Sequence, residues 1–268
     1  MEVLIRNDFN TLKSCILCYP CNLEQTGKNK ANQQVNKELA SVQYNNLVNH
    51  IAEHGVKVHF VPLNGGPSQV FTRDIGFIID DILFISKMTS AIRESEINTL
   101  KEVAETYDLK PHIMENYVEG GDIIVHNDGV FIGQGNRTNE KAVEEIDAVL
   151  RKHNRSTKLV KVSYDVSKIH LDCVFNVLDE DTCIITSGVY NPEEVTKYFK
   201  KVIKVTDEDA KDLATNIVQI SKDTHLCSSE NFSRILQSHG YQVTYIDFSE
   251  IIKCNGSLGC CVLPMQRA

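Results

Sequence analysis

Between Asp74 and Ser86 the chain reads DIGFIIDDILFIS. Two short runs rich in β-branched and aromatic residues flank a pair of aspartates, and an acidic residue opens the first run. Apolar run, polar turn and apolar run is the pattern of a β-hairpin. The same pattern returns as DIIVHNDGVFIG from Asp122, DCVFNVLDEDTCIITSG from Asp172 and NIVQISKDTHLCSS from Asn216. The opening residues lie 48, 50 and 44 positions apart, and a further 44 reaches Cys260 in NGSLGCCVLP, Asn255 to Pro264. A period of 44–50 residues marks repeated supersecondary units.

Helical patterns fit between the hairpins. They cover Glu94–Tyr107, Asn139–Lys152, Glu193–Lys201 and Glu230–His239, the last closed by Gly240 and followed by the strand QVTYIDF. Upstream, residues 36–54 place Leu39, Val42, Leu47 and Ile51 at roughly helical spacing and end at Gly55. Val56–Pro62 then alternates like a strand. Residues 24–40 are the most polar stretch and read as a mobile loop entering that helix. Five strand-rich units, each with a helix, fit an α/β propeller closed radially, with helices outside. A linear α/β sheet is the alternative, but it leaves unexplained why polar residues open the hairpins at a common phase. No low-complexity segment or Pro/Gly-rich linker divides the chain, so residues 1–268 are expected to form one domain.

The 268 residues carry a net charge of −8 and are 42% hydrophobic, with an isoelectric point near 5.6. That balance argues against a non-specific nucleic-acid or anionic-membrane surface and is compatible with a cationic small substrate. No run approaches eighteen apolar residues, so no membrane-spanning helix is expected. The first residues lack the apolar core of a secretory signal, and nine scattered cysteines suit reduced thiols in a cytoplasmic protein. Cys15, Cys18 and Cys21 form a C-x-x-C-x-x-C run, but it reads as an apolar strand with no nearby histidine or fourth ligand. No metal is expected there. Oligomeric state is not legible, and a homo-oligomer is compatible with the sequence.

Asp74, Asp122, Asp172 and Cys260 share the repeat phase, with Glu119 and His170 just upstream. Each alone has a structural explanation: a turn cap for Asp74, a tight bend for Gly120-Gly121, a buried satisfied imidazole for His170. Together they comprise a thiol, an imidazole and several carboxylates at converging element boundaries. Paired carboxylates without a metal-ligand pattern suit a guanidinium, a planar fork of five N–H donors. A thiolate can attack its electrophilic carbon, while a histidine protonates the leaving group and then activates water.

Phe71-Thr-Arg-Asp74, Glu119-Gly-Gly-Asp122, His170-Leu-Asp172 and Gly256-Ser-Leu-Gly-Cys260 resemble, in order, the motifs of the guanidino-group-modifying enzyme superfamily. Arginine deiminases, dimethylarginine dimethylaminohydrolases, agmatine deiminases and amidinotransferases are its members. The resemblance runs from about Tyr19 to Pro264 and implies a five-bladed α/β propeller of ββαβ units. It implies Cys260 as nucleophile, His170 as general acid/base and Glu119 as the group that orients His170. Asp74 and Asp172 would grip the guanidinium and Phe71 would pack beside the substrate. Arg93 and Arg137 match arginines that hold the α-carboxylate of arginine-like substrates. Cys261 would pack into the last strand. No metal or organic cofactor is implied.

Within the superfamily the signals divide. The chain lacks room for the extra helical domain of typical arginine deiminases and has Gly259 where those carry an arginine, so in size it resembles the dimethylarginine hydrolases. Those usually lack the acid two residues after the catalytic histidine, where this chain has Asp172. A second carboxylate favours unsubstituted N–H donors, because two N-methyl groups would leave a buried charge unpaired at a cost of about 2–5 kcal/mol. Ser68 replaces an Asn or Asp common in the two best-known subfamilies. Arginine dihydrolases of comparable length carry Asn in place of Asp74. The leading expectation is therefore a citrulline-forming, arginine deiminase-like hydrolase, with dimethylarginine hydrolysis as runner-up. Arginine dihydrolase, amidinotransferase and a catalytically silent binding protein rank lower.

Overall fold

The computed structural model describes residues 1–25, 34–127 and 129–268. Residues 26–33, the centre of the polar stretch expected to be a mobile loop, lie outside the described residues. The chain begins with strand β1 (Leu12–Leu17), helix α1 (Lys37–Glu53) and strand β2 (Lys57–Phe60). Four units follow, each a hairpin, a helix and a third strand. The first is β3 (Gly76–Ile79), β4 (Ile82–Ile85), α2 (Ile97–Thr106) and β5 (His112–Ile113). The second is β6 (Ile123–His126), β7 (Gly129–Gln134), α3 (Glu140–Lys152) and β8 (Leu159–Ser163). The third is β9 (Phe175–Val177), β10 (Thr182–Ile185), α4 (Pro192–Thr196) and β11 (Lys201–Lys204). The fourth is β12 (Val218–Ser221), β13 (Thr224–Cys227), α5 (Glu230–Ser238) and β14 (Gln242–Tyr245). A short helix α6 (Ser249–Ile252) and strand β15 (Leu263–Arg267) end the chain.

These strands form five separate three-stranded sheets, as the hairpin repeat predicts and a linear sheet does not. In each hairpin blade the second strand pairs antiparallel with the first and parallel with the third. The fifth blade is ordered β15-β1-β2, so the chain's last strand pairs with its first and the two ends close the ring. Every residue of β3, β4 and β6 is buried, which explains why these hairpins read as continuous apolar runs rather than alternating ones. Asp80, at the first hairpin tip, has a φ of 54°, a left-handed conformation that aspartate tolerates better than bulkier residues do. Asn36, Asn139 and Ser229 each accept a backbone N–H at a helix start, a cap worth about 1 kcal/mol.

The pattern read as a helix over Glu193–Lys201 is one short helix followed by a strand. Tyr198 and Phe199 turn inward against Phe131, and Lys201 must pair with Thr182 to give the blade its third strand. The helix expected from Glu94 begins instead as a 3-10 turn, Ala91–Glu96, which buries Arg93 and Glu96. Cys15 and Cys18 are buried and Cys21 exposed; burial pushes the Cys15 and Cys18 thiols up to about 12, as inert core thiols. Among the described residues no helix is long and apolar enough to cross a membrane. The short turns that open the first strands pack together at the ring centre. The Thr72–Ile75 turn touches the Gly120–Asp122 and Gly259–Cys261 turns, and Gly120–Asp122 touches Leu171–Cys173.

Candidate active site

Those turns deliver the chemistry-bearing side chains to one buried cluster. Asp74, Glu119, His170, Asp172 and Cys260 are each at most 5% exposed. Phe71, Glu119 and His170 all stand immediately before their 3-10 turns, so a shared backbone geometry aims residues from different blades at one point. Phe71, Asp74, Arg93, Arg137, His170 and Cys260 line a single cavity with Ser68 and Gly256.

His170 sits at the middle. Its Nε2 lies 2.9 Å from Glu119 Oε2, its Nδ1 is 3.5 Å from Asp74 Oδ1, and the Cys260 thiol is near enough to act on its proton affinity. Burial alone would lower the imidazole's proton affinity, but Asp74, Cys260 and Glu119 together hold it well above the ordinary histidine range. Burial would likewise raise Glu119, yet the His170 hydrogen bond and the charges of His170, Arg93 and Arg137 keep its carboxylate well below the usual range. Glu119 Oε1 also accepts from Thr89 Oγ1 at 2.9 Å and from Arg137 Nη1 at 3.1 Å. The pair is an imidazolium on a carboxylate, the protonation state needed to donate a proton to a departing amine.

The Cys260 thiol is held well above the usual range by the neighbouring Cys173 thiol, by burial and by Asp172, against the opposing pull of His170. Asp172 Oδ2 lies 3.9 Å from Cys260 Sγ, and burial pushes this carboxyl up to about 6. Without a cation in the cavity the thiol therefore keeps its proton. Asp74 lines the cavity of His170 and Cys260, whereas Asp172 lines a neighbouring one with Arg73, Asn176 and Gly259; a cation held beside Asp74 would supply charge that favours the thiolate.

Arg93 is drawn deeper than the sequence suggests. Its Nη1 donates to Asp74 Oδ2 at 2.7 Å and its Nε to Glu96 Oε2 at 2.8 Å, while Glu96 also accepts the Ser68 N–H at 3.0 Å. Asp74 Oδ1 has no hydrogen-bond partner, an orphaned buried acceptor of the kind that a substrate N–H satisfies. Arg137 is the more exposed arginine, held through Nη1 by Thr89 and Glu119.

Several supporting residues escaped the sequence reading. Asn216, on the repeat phase but without an assigned role, accepts the Cys260 N–H through Oδ1 at 3.0 Å and the Gly259 N–H through its carbonyl at 3.1 Å. Asp122 accepts from Thr138, Tyr164 and the Leu171 N–H, so it anchors the His170 turn and leaves the substrate to others. Gly120 and Gly121 are required by close approach. A Cβ on Gly121 would sit 2.7 Å from His170 Cγ, and one on Gly120 2.2 Å from the Arg73 carbonyl. Gly256 likewise leaves room for the Phe71 ring. Glu96 was signalled by its spacing of three from Arg93, which a 3-10 turn eclipses.

Two sets of donors lie close enough to ligate one metal: Asp74, Glu119 and His170, and Asp172, Cys173 and Cys260, each with ligand atoms within 4.8 Å of one another. In the first set Asp74 and His170 line the cavity of Cys260, so a metal there would compete with a guanidinium; in the second only Cys260 does.

A family model described as N,N dimethylarginine dimethylhydrolase, eukaryotic, matches residues 21–267. The chain belongs to that family. It is thereby a member of the guanidino-group-modifying superfamily, and its relatives among the dimethylarginine hydrolases and arginine deiminases mark it as a hydrolase of guanidino C–N bonds. Among similar proteins, Bacillus subtilis (strain 168) YkgA, an uncharacterized protein, is 32% identical over 99% of this chain and 96% of its own length. The N(G),N(G)-dimethylarginine dimethylaminohydrolase of Mycobacterium tuberculosis is 28% identical over 87% of this chain and 78% of its own. The solved N-terminal domain of ArgZ, a cyanobacterial arginine dihydrolase bound to product, superposes with a TM-score of 0.85 at 20% identity, covering 96% of this chain and 98% of that one. The family's five-bladed propeller is the fold observed here.

Proposed function

We propose that this family member hydrolyses the guanidino group of free arginine or a close analogue, forming citrulline and ammonia. The observation that carries this reading is the pair of buried carboxylates around Cys260. Asp172 stands 3.9 Å from the thiol and Asp74 offers an unpartnered oxygen 3.5 Å from His170 Nδ1. Two buried carboxylates are both satisfied by an unsubstituted guanidinium, whereas methyl groups on one nitrogen would strand one of them at a cost of about 2–5 kcal/mol.

Binding of the cation lowers the Cys260 proton affinity, and the thiol proton is released to solvent, to be regained when the neutral ureido product leaves. The thiolate attacks the guanidinium carbon, and His170 protonates the terminal nitrogen, which leaves as ammonia. The resulting thiouronium on Cys260 is attacked by water whose proton His170 takes. The C–S bond then breaks and a ureido product leaves. Glu119 holds His170 in place while the imidazole, neutral after the first transfer, awaits the water proton, and it stabilises the imidazolium before the first transfer and after the second. Arg93 and Arg137 line the cavity but are tied to Asp74, Glu96 and Glu119, so holding the substrate's α-carboxylate would require one of them to leave these partners.

Dimethylarginine hydrolysis is the second reading, supported by the family description and the Mycobacterium relative. Purified protein incubated with arginine, dimethylarginine and agmatine, assayed for ureido product and ammonia, separates the readings. Turnover of dimethylarginine in preference to arginine overturns the first. No turnover of any of the three sinks the substrate class.

A further inference from the structure

Cys173 takes no part in this chemistry, yet it stands beside the reactive thiol. It ends the Leu171–Cys173 turn, while Cys260 occupies the Gly259–Cys261 turn that closes the ring. The Cys173 and Cys260 sulfurs and an Asp172 oxygen all lie within 4.8 Å of one another. Both thiols turn to the same carboxylate: Cys173 Sγ donates to Asp172 Oδ1 at 3.5 Å and Cys260 Sγ to Oδ2 at 3.9 Å. Core cysteines such as Cys183 and Cys227 belong to apolar clusters. Cys173 faces a thiol and a carboxylate instead.

Each thiol also has its own approach. Cys260 lines the substrate cavity, and Cys173 lines a second cavity with Ser167, Lys168, Lys211 and Leu213. Ile169 and Asn255 contribute to the walls of both. A small oxidant can therefore reach the pair from either side.

We propose that Cys173 is a resolving thiol for Cys260, and that the two form a peroxide-responsive modification site. The Cys260 proton passes to Asp172, whose Oδ2 stands 3.9 Å from the sulfur, and the thiolate attacks one oxygen of hydrogen peroxide or an organic hydroperoxide. The O–O bond breaks, and the second oxygen leaves as water or an alcohol with the thiol's proton. Cys260 becomes a sulfenic acid. The Cys173 sulfur then attacks the Cys260 sulfur, the S–O bond breaks, and hydroxide leaves as water with the Cys173 proton. Two thiols are oxidised by two electrons and the peroxide is reduced by two. The separation of the sulfurs is closed by side-chain rotation to reach the short S–S bond of a disulfide. The product occludes the nucleophile, and a thiol reductant restores it. Without Cys173, the sulfenic acid lacks the thiol that faces it across the turns, Cys261 being packed in the apolar core, and proceeds to the sulfinic acid, which such reductants do not reverse.

The experiment reads thiol chemistry directly and is independent of which guanidine is the substrate. Reduced full-length protein is treated with graded hydrogen peroxide, quenched with an alkylating agent, digested without reduction and mapped by mass spectrometry. The expected product is a linked peptide pair joining Cys173 to Cys260, short of two hydrogens. Reactivity of Cys260 toward a haloacetamidine should fall in parallel and return with dithiothreitol. In Cys173→Ser, Cys260 should gain two oxygens and stay unreactive after reduction. Sulfinic acid at Cys260 of the wild type with no linked pair overturns the proposal, as does linkage of Cys260 to Cys261. The wild-type map alone decides the outcome if the variant fails to fold.

Discussion

Arg93 Nη1 donates to Asp74 Oδ2 at 2.7 Å, leaving only Oδ1 of that carboxylate without a partner. The arginine thus fixes which oxygen the substrate meets, and Glu96 on its Nε fixes the arginine. Three buried charges, one positive and two negative, are satisfied by one planar fork.

Replacing that fork should cost both stability and turnover. In Arg93→Ala, two buried carboxylates lose their partner, and the loss of unfolding free energy is expected at about 3–5 kcal/mol. Arg93→Lys supplies a point charge that cannot meet Asp74 and Glu96 in the same geometry. It should fold, with kcat/KM for arginine lowered by roughly 10- to 100-fold. Urea unfolding and steady-state kinetics test the two variants, and an unchanged kcat/KM in Arg93→Lys would contradict this account.

Glu119→Gln keeps the shape of the Glu119 side chain but removes the charge that helps hold His170 protonated. The imidazole should titrate lower than in the wild type, and kcat should fall by about 10²–10⁴-fold, the range for losing a positioned acid/base. Nitrogen-resolved NMR of His170 gives the first quantity and single-turnover kinetics the second. A normal His170 titration with reduced kcat would show that Glu119 acts by position alone.

A methyl group at residue 121 tests the packing of His170 over the glycine pair. Gly121→Ala places carbon 2.7 Å from His170 Cγ, so the ring must move. A displacement of about 1 Å at a reacting group costs roughly 100-fold in rate. The expected result is a fall in kcat of that order, with circular dichroism unchanged.

The buried Asp172 should set the acid limb of activity. Burial raises it to about 6, and the guanidinium binds its ionised form, so kcat/KM should fall as pH drops through about 6. The stability consequence has the opposite sense. A carboxyl that is harder to ionise when folded stabilises the protein fully below its unfolded value, about 3.9. That contribution is lost as pH rises toward the folded value. Asp172→Asn should therefore gain in urea midpoint relative to wild type between about pH 4 and 6. A midpoint difference that is flat across that window would refute the assignment.

Much of this was legible in the chain. Asp74, Asp122, Asp172, Asn216 and Cys260 share one phase because each opens a blade, and a repeated backbone path imprints a repeated pattern of apolar runs and polar openings. Hairpins, most helices and the five-unit count follow from local periodicity, and four ordered motifs carry the family. The short helix before Lys201 misled the reading because Tyr198 and Phe199 are placed by contacts with Phe131, sixty-odd positions away.

What sequence alone determined is therefore the repeat, the residue types at its openings and the class of chemistry they suit. Ring closure by β15 on β1, the inward pull of Glu96 on Arg93, the grip of Asn216 on the Cys260 backbone and the nearness of Cys173 to Cys260 were decided only by the tertiary structure. The Arg93–Glu96 pair depends on burial of a 3-10 turn, and the others on which blades become neighbours, which brings together residues 44 to 255 positions apart, separations that no local pattern encodes.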